Sequence, residues 1–318
     1  MCTSFTFQTK DFYCGRNMDL EYSFGKRVLI MPRNYPLMLR HGEAAVQHHA
    51  MIGMAAPGFA YPLYAEACNE KGLYMAGLNF PGNACYAAAE EGKERQIAVF
   101  ELIPWLLGLC STVEEACGRL KEIRVVNTPY APELSPTSLH WHIADRNRSV
   151  VLELMEDGMH LHENPVGVMT NNPPFPFHLM NLNCYLNVTA GFPENRFGEG
   201  TQLHTFGEGM GGLGLPGDAS STSRFVRTAF LKANSQCGEG EQESVAQVFH
   251  ILDGVAMVKG SVRNPQGKCE YTAYSCCINV DKGTYYYRTY GELGVYRASL
   301  MDADLNGEQL IDAEAAKC

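Results

Sequence analysis

The chain opens Met1-Cys2-Thr3-Ser4-Phe5-Thr6-Phe7-Gln8-Thr9-Lys10-Asp11-Phe12-Tyr13-Cys14-Gly15-Arg16-Asn17-Met18-Asp19. From Cys2 to Phe7 polar and aromatic residues alternate with the period of a strand, and a second strand-like run covers Phe12 to Met18. Thr9-Lys10-Asp11 is a polar break between them, so the expectation is an N-terminal hairpin. The same alternation recurs from Arg27 to Pro32, His49 to Ala55, Leu63 to Cys68 and Leu73 to Phe80, the last two joined through Asn69-Glu70-Lys71-Gly72. Helical spacing takes over from Ile97 to Leu109, and a second helix is expected from Ser111, with Glu114 closing a capping box. Further strands are expected at Leu139 to Ala144, Ser149 to Leu154, Met159 to Glu163 and Val166 to Thr170. Helices follow near Phe177 to Leu186, Ser223 to Lys232 and Glu243 to Leu252. Strands near Tyr271 to Val280, Thr284 to Thr289 and Val295 to Leu300 come last, with Asp281-Lys282-Gly283 as a tight turn. Blocks of strands separated by blocks of helices predict an α+β protein, a four-layer αββα sandwich of antiparallel sheets spanning residues 1–318 as one domain; a two-layer α+β protein is the alternative.

Composition narrows the function. An apolar share of 46% with 19% charged residues is that of an ordinary globular protein with a sizeable core. Lys+Arg of 25 against Asp+Glu of 35 gives −10, which repels a polyanion, so nucleic acid is not an expected partner. No run approaches the roughly 18 apolar residues of a membrane span, and no basic stretch followed by an apolar one opens the chain, so the expectation is a cytoplasmic protein without a membrane partner. The twelve cysteines lack the short regular spacings of a disulfide scaffold or zinc ribbon and read as reduced core residues. In that compartment the sequons at Asn147 and Asn187 carry no sugar.

A cysteine directly after an initiator methionine is small enough for Met1 to be clipped, which leaves a free α-amine on the residue that carries the thiol. That amine, with a pKa of about 7.7–8.0, can take the thiol proton itself. Arg16 and Asp19, on the partner strand, can return toward Cys2: an arginine near the sulfur favours thiolate, and an aspartate can hold the amine. The plainer reading is a small residue tolerated at a terminus and a surface Arg16–Asp19 ion pair.

Met1-Cys2-Thr3, Gly15-Arg16-Asn17-Met18-Asp19, Gly77-Leu78-Asn79-Phe80-Pro81-Gly82, Thr170-Asn171-Asn172-Pro173, Gly214-Leu215-Pro216-Gly217-Asp218 and Ser223-Arg224-Phe225-Val226-Arg227 resemble, in order, the choloylglycine hydrolase family of bile salt hydrolases and penicillin V acylases. The likeness covers nearly the whole chain, with a shorter first hairpin. It implies the N-terminal nucleophile hydrolase fold, no cofactor, and a catalytic set on Cys2, Arg16, Asp19, Asn79, Asn171 and Arg224. Asn79 and a backbone N–H would then form the oxyanion hole, each worth roughly 3–4 kcal/mol. Asn171 would orient either the α-amine or the substrate amide, and Arg224 would complete the polar network without a role derivable from sequence. Segments corresponding to the family's pocket loops hold Met18, Phe59, Tyr61, Ala65 and Leu134, an apolar lining suited to a steroid; Phe59 and Tyr61 are equally readable as loop-core contacts. The run Leu78 to Gly82 is closer to the bile salt hydrolases, which implies a glycine- or taurine-conjugated bile acid as substrate, with penicillin V as the alternative. The resemblance also implies a homotetramer in which Asn187 to Gly217 crosses a subunit boundary.

Two signals point elsewhere. Gly207-Glu208-Gly209-Met210-Gly211-Gly212 matches a dinucleotide fingerprint by letter, but more glycines and Pro216 follow where a helix is required, so a loop is expected. His140-Trp141-His142 and His160-Leu161-His162 could hold zinc in a metallohydrolase, yet without an HExxH helix or a clear carboxylate partner they read as histidines packed between strands, and no metal is expected. A non-catalytic binding protein on the same fold is a third class, which a retained Met1 and no turnover would reveal.

Overall fold

A computed structural model describes every residue except 24–26, 43, 57–58, 93–94 and 314, and the side chain of residue 293. In chain order the strands and helices are β1 (Cys2–Gln8), β2 (Phe12–Leu20), β3 (Val28–Met31), β4 (Met51–Ala55), β5 (Tyr64–Asn69), β6 (Tyr74–Asn79), β7 (Gln96–Ala98), α1 (Leu102–Leu109), α2 (Val113–Leu120), β8 (Arg124–Val126), β9 (Leu139–Ala144), β10 (Ser149–Met155), β11 (Gly158–Glu163), β12 (Val168–Met169), α3 (Phe175–Leu182), α4 (Ser221–Asn234), α5 (Glu241–Asp253), β13 (Val262–Arg263), β14 (Cys269–Asn279), β15 (Thr284–Thr289), β16 (Glu292–Ser299), β17 (Ile311–Asp312) and β18 (Ala316–Lys317).

Two large antiparallel sheets result. The first runs β12-β1-β2-β14-β15-β16-β18, with β13 on β14; the second runs β11-β10-β9-β6-β5-β4-β3-β17. Helices α4 and α5 cover the first sheet through β1, β2 and β14, α1 covers the second through β4, β5 and β6, and β1 meets β6 across the space between the sheets. This is the αββα sandwich, and each sheet therefore has both faces buried. That explains why strands such as Val28–Met31 and Met51–Ala55 are buried at every position. At Gly15 a Cβ would fall 2.7 Å from Phe5 and 2.8 Å from Val248, so only glycine lets α5 seat on the first hairpin.

The differences from the sequence reading are local. Gln96–Ala98 is a short strand parallel to Arg124–Val126, and a 3-10 turn over Val99–Glu101 precedes α1, so the helix starts at Leu102 rather than Ile97. A short buried strand and a helix look alike in apolar spacing. The cap of α2 is Thr112, one residue later than expected; its hydroxyl accepts from Glu115 N at 3.2 Å, while the Glu115 carboxylate accepts from Ser111 N at 2.7 Å. Helix α3 begins at Phe175 and ends at Leu182, with a 3-10 turn over Asn183–Tyr185 after it. The two-residue strands β13, β17 and β18 are too short to show a period, whereas β12 falls inside the strand expected at Val166 to Thr170.

Around the Gly-rich fingerprint no strand–helix unit forms among the described residues; a 3-10 turn over Met210–Gly212 is the local structure. Gly209 and Gly214 have φ of 80° and 94°, and a Cβ on Gly211 would lie 2.1 Å from Gly191 O. Among the described residues no helix is long and apolar enough to cross a membrane.

Candidate active site

The first hairpin delivers the reactive atom. Its register sets Cys2 opposite Met18 and Ser4 opposite Arg16, so these four side chains share the face turned to the second sheet. Cys2 Sγ lies 3.6 Å from Met18 Sδ and 3.6 Å from Arg16 Nη2. The core thiols Cys14, Cys276 and Cys277 are all pushed well up by burial, and Cys68 to about 12, so they are held protonated.

Arg16 is 1% exposed. It donates to Gly77 O at 2.7 Å, Ala65 O at 2.5 Å and Glu66 Oε2 at 2.7 Å. Burial works against its charge, but Glu66, with Tyr274 and Cys2 behind it, leaves the guanidinium well above its ordinary range. Glu66 on β5 is fully buried and also accepts from Tyr274 at 2.8 Å, from Tyr285 in a short bond and from Cys276 Sγ at 3.6 Å. A carboxylate of one sheet is thus wrapped by donors of the other and is linked to Cys2 through the Arg16 guanidinium.

Asp19 closes the other side. Thr272 Oγ1 donates to its Oδ1 at 2.6 Å, while Oδ2 is buried with no partner. Burial pushes its pKa up, against Arg224, Thr272 and the chain's ammonium group. Met1 continues β1 alongside it: the ammonium donates to Asp19 O at 2.6 Å and to Glu270 Oε2 at 3.4 Å, and Asp19 N donates to Met1 O at 2.8 Å. It is therefore the main chain of Asp19, not the carboxylate, that holds the terminus while Met1 is present.

Asn171, just after β12, accepts at Oδ1 from Cys2 N at 2.8 Å and from Arg224 Nη2 at 2.8 Å, and its Nδ2 donates to Asn79 O at 2.7 Å. Of the two roles read from sequence, this places Asn171 on the Cys2 nitrogen. Arg224, 1% exposed on α4, donates to Cys2 O at 2.5 Å, Thr3 Oγ1 at 2.7 Å and Ala219 O at 3.0 Å. Where the sequence left Arg224 without partners, these contacts tie Cys2 and Asn171 together. Burial lowers its pKa, with Asp19 and Cys2 opposing. Asn79 ends β6 with its side chain exposed.

Cys2 and Asn79 open into a cavity of about 530 Å³, whose apolar wall includes Met18, Phe59, Ala65, Leu134, Phe100 and Tyr130. Four of the five expected pocket residues line it. Tyr61 does not: its ring packs 5.3 Å from Phe100 and 5.9 Å from Tyr130, shaping the wall from behind.

The four imidazoles do not all meet at one point; His140 and His162 share Glu153, while His142 lies apart from it. His142 bridges Ser4 Oγ at 2.9 Å and Ser149 Oγ at 2.8 Å between the sheets, and burial lowers it to about 3. His160 and His162 stack on β11 with centroids 5.8 Å apart. Among the described residues no group of three or more His, Cys, Asp and Glu is placed to hold a metal. One expectation is corrected: three of the histidines do have a carboxylate, Glu153 Oε1 lying 3.1 Å from His140 Nδ1, Glu153 Oε2 3.3 Å from His162 Nε2, and Asp157 Oδ1 2.8 Å from His160 Nε2.

The profile of linear amide C–N hydrolases of the choloylglycine hydrolase type matches residues 2–313. This chain is a member of the choloylglycine hydrolase family. A bile salt hydrolase/transferase of Lactiplantibacillus plantarum is 47% identical over 98% of this chain and 96% of its own length. That of Clostridium perfringens is 36% identical over 98% and 95%. A solved variant of the conjugated bile acid hydrolase from Clostridium perfringens, 34% identical, superposes with a TM-score of 0.89 over 100% of this chain and 97% of the other. The penicillin V acylase of Agrobacterium tumefaciens, 20% identical with a TM-score of 0.75 over 98% and 91%, shares the fold.

Within this family member, the residues that sequence reasoning missed are Glu66, Thr272, Phe100 and Tyr130. Glu66 sits in an unremarkable strand, and only the pairing of two sheets brings it under Arg16. Phe100 and Tyr130 lie in or beside apolar stretches whose folding over Phe59 no linear spacing shows.

Proposed function

We propose that this protein hydrolyses the amide bond of glycine- or taurine-conjugated bile acids, with Cys2 as nucleophile after Met1 is removed. The observation that carries it is a sulfur flanked by Arg16 at the floor of an apolar cavity of about 530 Å³, within the roughly 300–1,000 Å³ of ligand pockets. A rigid steroid suits such a wall, and the relatives named as bile salt hydrolases support the choice. Removing Met1 turns Cys2 N from an amide into an amine that already faces Asn171 Oδ1, and Asp19 Oδ2 is the buried acceptor left for a second of its protons.

The thiol proton passes to this amine as Cys2 Sγ bonds to the substrate carbonyl carbon. Asn79 donates to the oxyanion. Collapse breaks the C–N bond, the amine leaves with the proton held on the α-ammonium, and a thioester remains. Water, giving its proton to the α-amine, attacks the thioester; the bile acid leaves and the thiol is restored.

The whole chain acts as one domain in this reading, and the compartment is the reducing cytoplasm, which twelve free cysteines support. The exposed Leu186, Phe192, Phe197 and Phe206 between α3 and α4 favour burial against other copies in a homotetramer. The deciding assay measures glycine and taurine released from conjugated bile acids beside penicillin V cleavage, for wild type and Cys2→Ala. Release lost in Cys2→Ala is expected. Turnover of penicillin V alone, or activity in a chain retaining Met1, overturns the proposal.

A further inference from the structure

The histidine at position 140 is left unused by this chemistry, yet it touches both asparagine-bearing segments. On one side its ring stacks on Phe80, next to Asn79, with centroids 4.2 Å apart and planes 4° from parallel. On the other its Nε2 lies 3.0 Å from Thr170 O, next to Asn171. A carbonyl only accepts, so Nε2 carries the hydrogen. Nδ1 then meets Glu153 Oε1 at 3.1 Å. Glu153, fully buried on β10, also accepts Phe175 N at 2.9 Å, which ties in the start of α3. His178 on α3 adds a second clamp, donating from Nε2 to Asn171 O at 2.9 Å.

We infer that His140 and Glu153 form a positioning pair that sets the separation of Asn79 and Asn171, and through them the geometry of the oxyanion site relative to the Cys2 nitrogen. Neither residue reaches the cavity, since neither lines it. The Asn171 Nδ2 to Asn79 O bond closes the ring of contacts that the pair braces. Two amide groups at the ends of separate strands have to be held to a fraction of an ångström, and a buried, fully bonded imidazole between them is a stiff spacer. In sequence terms this is the use of the His140-Trp141-His142 motif.

The inference rests on Cys2 being the nucleophile, which loss of wild-type turnover on thiol alkylation tests separately. Three variants test the pair on whichever amide the wild type cleaves. Glu153→Leu leaves Nδ1 and Phe175 N without partners; misplacement of this kind is expected to lower kcat roughly tenfold to a hundredfold. KM and the rate of Cys2 alkylation by iodoacetamide should stay within about twofold, because neither residue of the pair lines the cavity or touches the sulfur. Glu153→Gln, which offers an N–H to the same nitrogen, is expected to restore most of the rate. If Glu153→Leu does not fold, His140→Phe keeps the stack and removes the bond to Thr170 O, and the same loss of kcat is expected. A folded Glu153→Leu or His140→Phe with wild-type kcat, or one altered in KM alone, overturns the inference.

Discussion

Asn171 makes two bonds at Oδ1 and one at Nδ2, all to the protein, whereas Asn79 gives its main-chain oxygen to Asn171 and keeps its side chain in the exposed mouth of the site. In the proposed mechanism the two asparagines therefore divide the work, one for the nucleophile and one for the developing oxyanion. Asn79→Ala is expected to lower kcat by roughly 10²–10³ with little change in KM, the usual loss of one oxyanion donor, as steady-state kinetics would show. At Glu66 the outcome is a change in stability as well. Glu66→Gln removes the buried carboxylate that balances Arg16, so it should destabilise the fold by about 3–5 kcal/mol, seen as a lower urea midpoint. A midpoint equal to wild type would mean that Arg16 is balanced by something other than Glu66.

Helix α4 shows how an element carries both site and fold. Its N-terminal end presents Arg224, and near its other end Lys232 reaches β1, donating to Thr6 Oγ1 at 3.0 Å and Val166 O at 2.6 Å. Burial lowers the Lys232 pKa from 10.5 to about 8, with Cys14 slightly opposing. The unfolded chain takes up that proton near pH 10.5 and the folded one only near 8, so between these values stability rises with pH and falls as pH is lowered. Denaturation of wild type and Lys232→Gln at several pH values should show the variant gaining on wild type as pH drops from about 10 to about 7, since Gln has nothing to titrate. Such pairings were beyond the sequence. The hairpin of Cys2 and Arg16 was legible because two alternating runs flank a polar turn, and strand blocks gave the layers. Glu153 beside His140 was not, because it depends on the register of β9 with β10, and Ile97 was misread because three residues of strand cannot display a period. The catalytic set came through the likeness of ordered motifs rather than through spacing, which is why Arg224 had a place before it had partners.

For the molecule as a whole, the stretch between α3 and α4 is the part least explained by a lone chain. Phe197 is 82% exposed and Phe206 is 90% exposed, far from the usual state of phenylalanine. In a tetramer these rings are buried and help shape a neighbour's rim. Light scattering should then give a particle about four times 35.2 kDa, and shortening residues 207–214 should lower both tetramer content and turnover while leaving Cys2 open to alkylation. A fully active monomer would refute this. Met1, finally, is paired into the sheet through Asp19 as if it were one more residue of β1. In the proposed mechanism that makes the translation start part of the catalytic apparatus: every newly made chain is folded and dormant until a separate peptidase trims it. A cell that synthesises this protein faster than it processes it would accumulate two populations of one fold, and specific activity would report the trimming rate rather than the amount of protein.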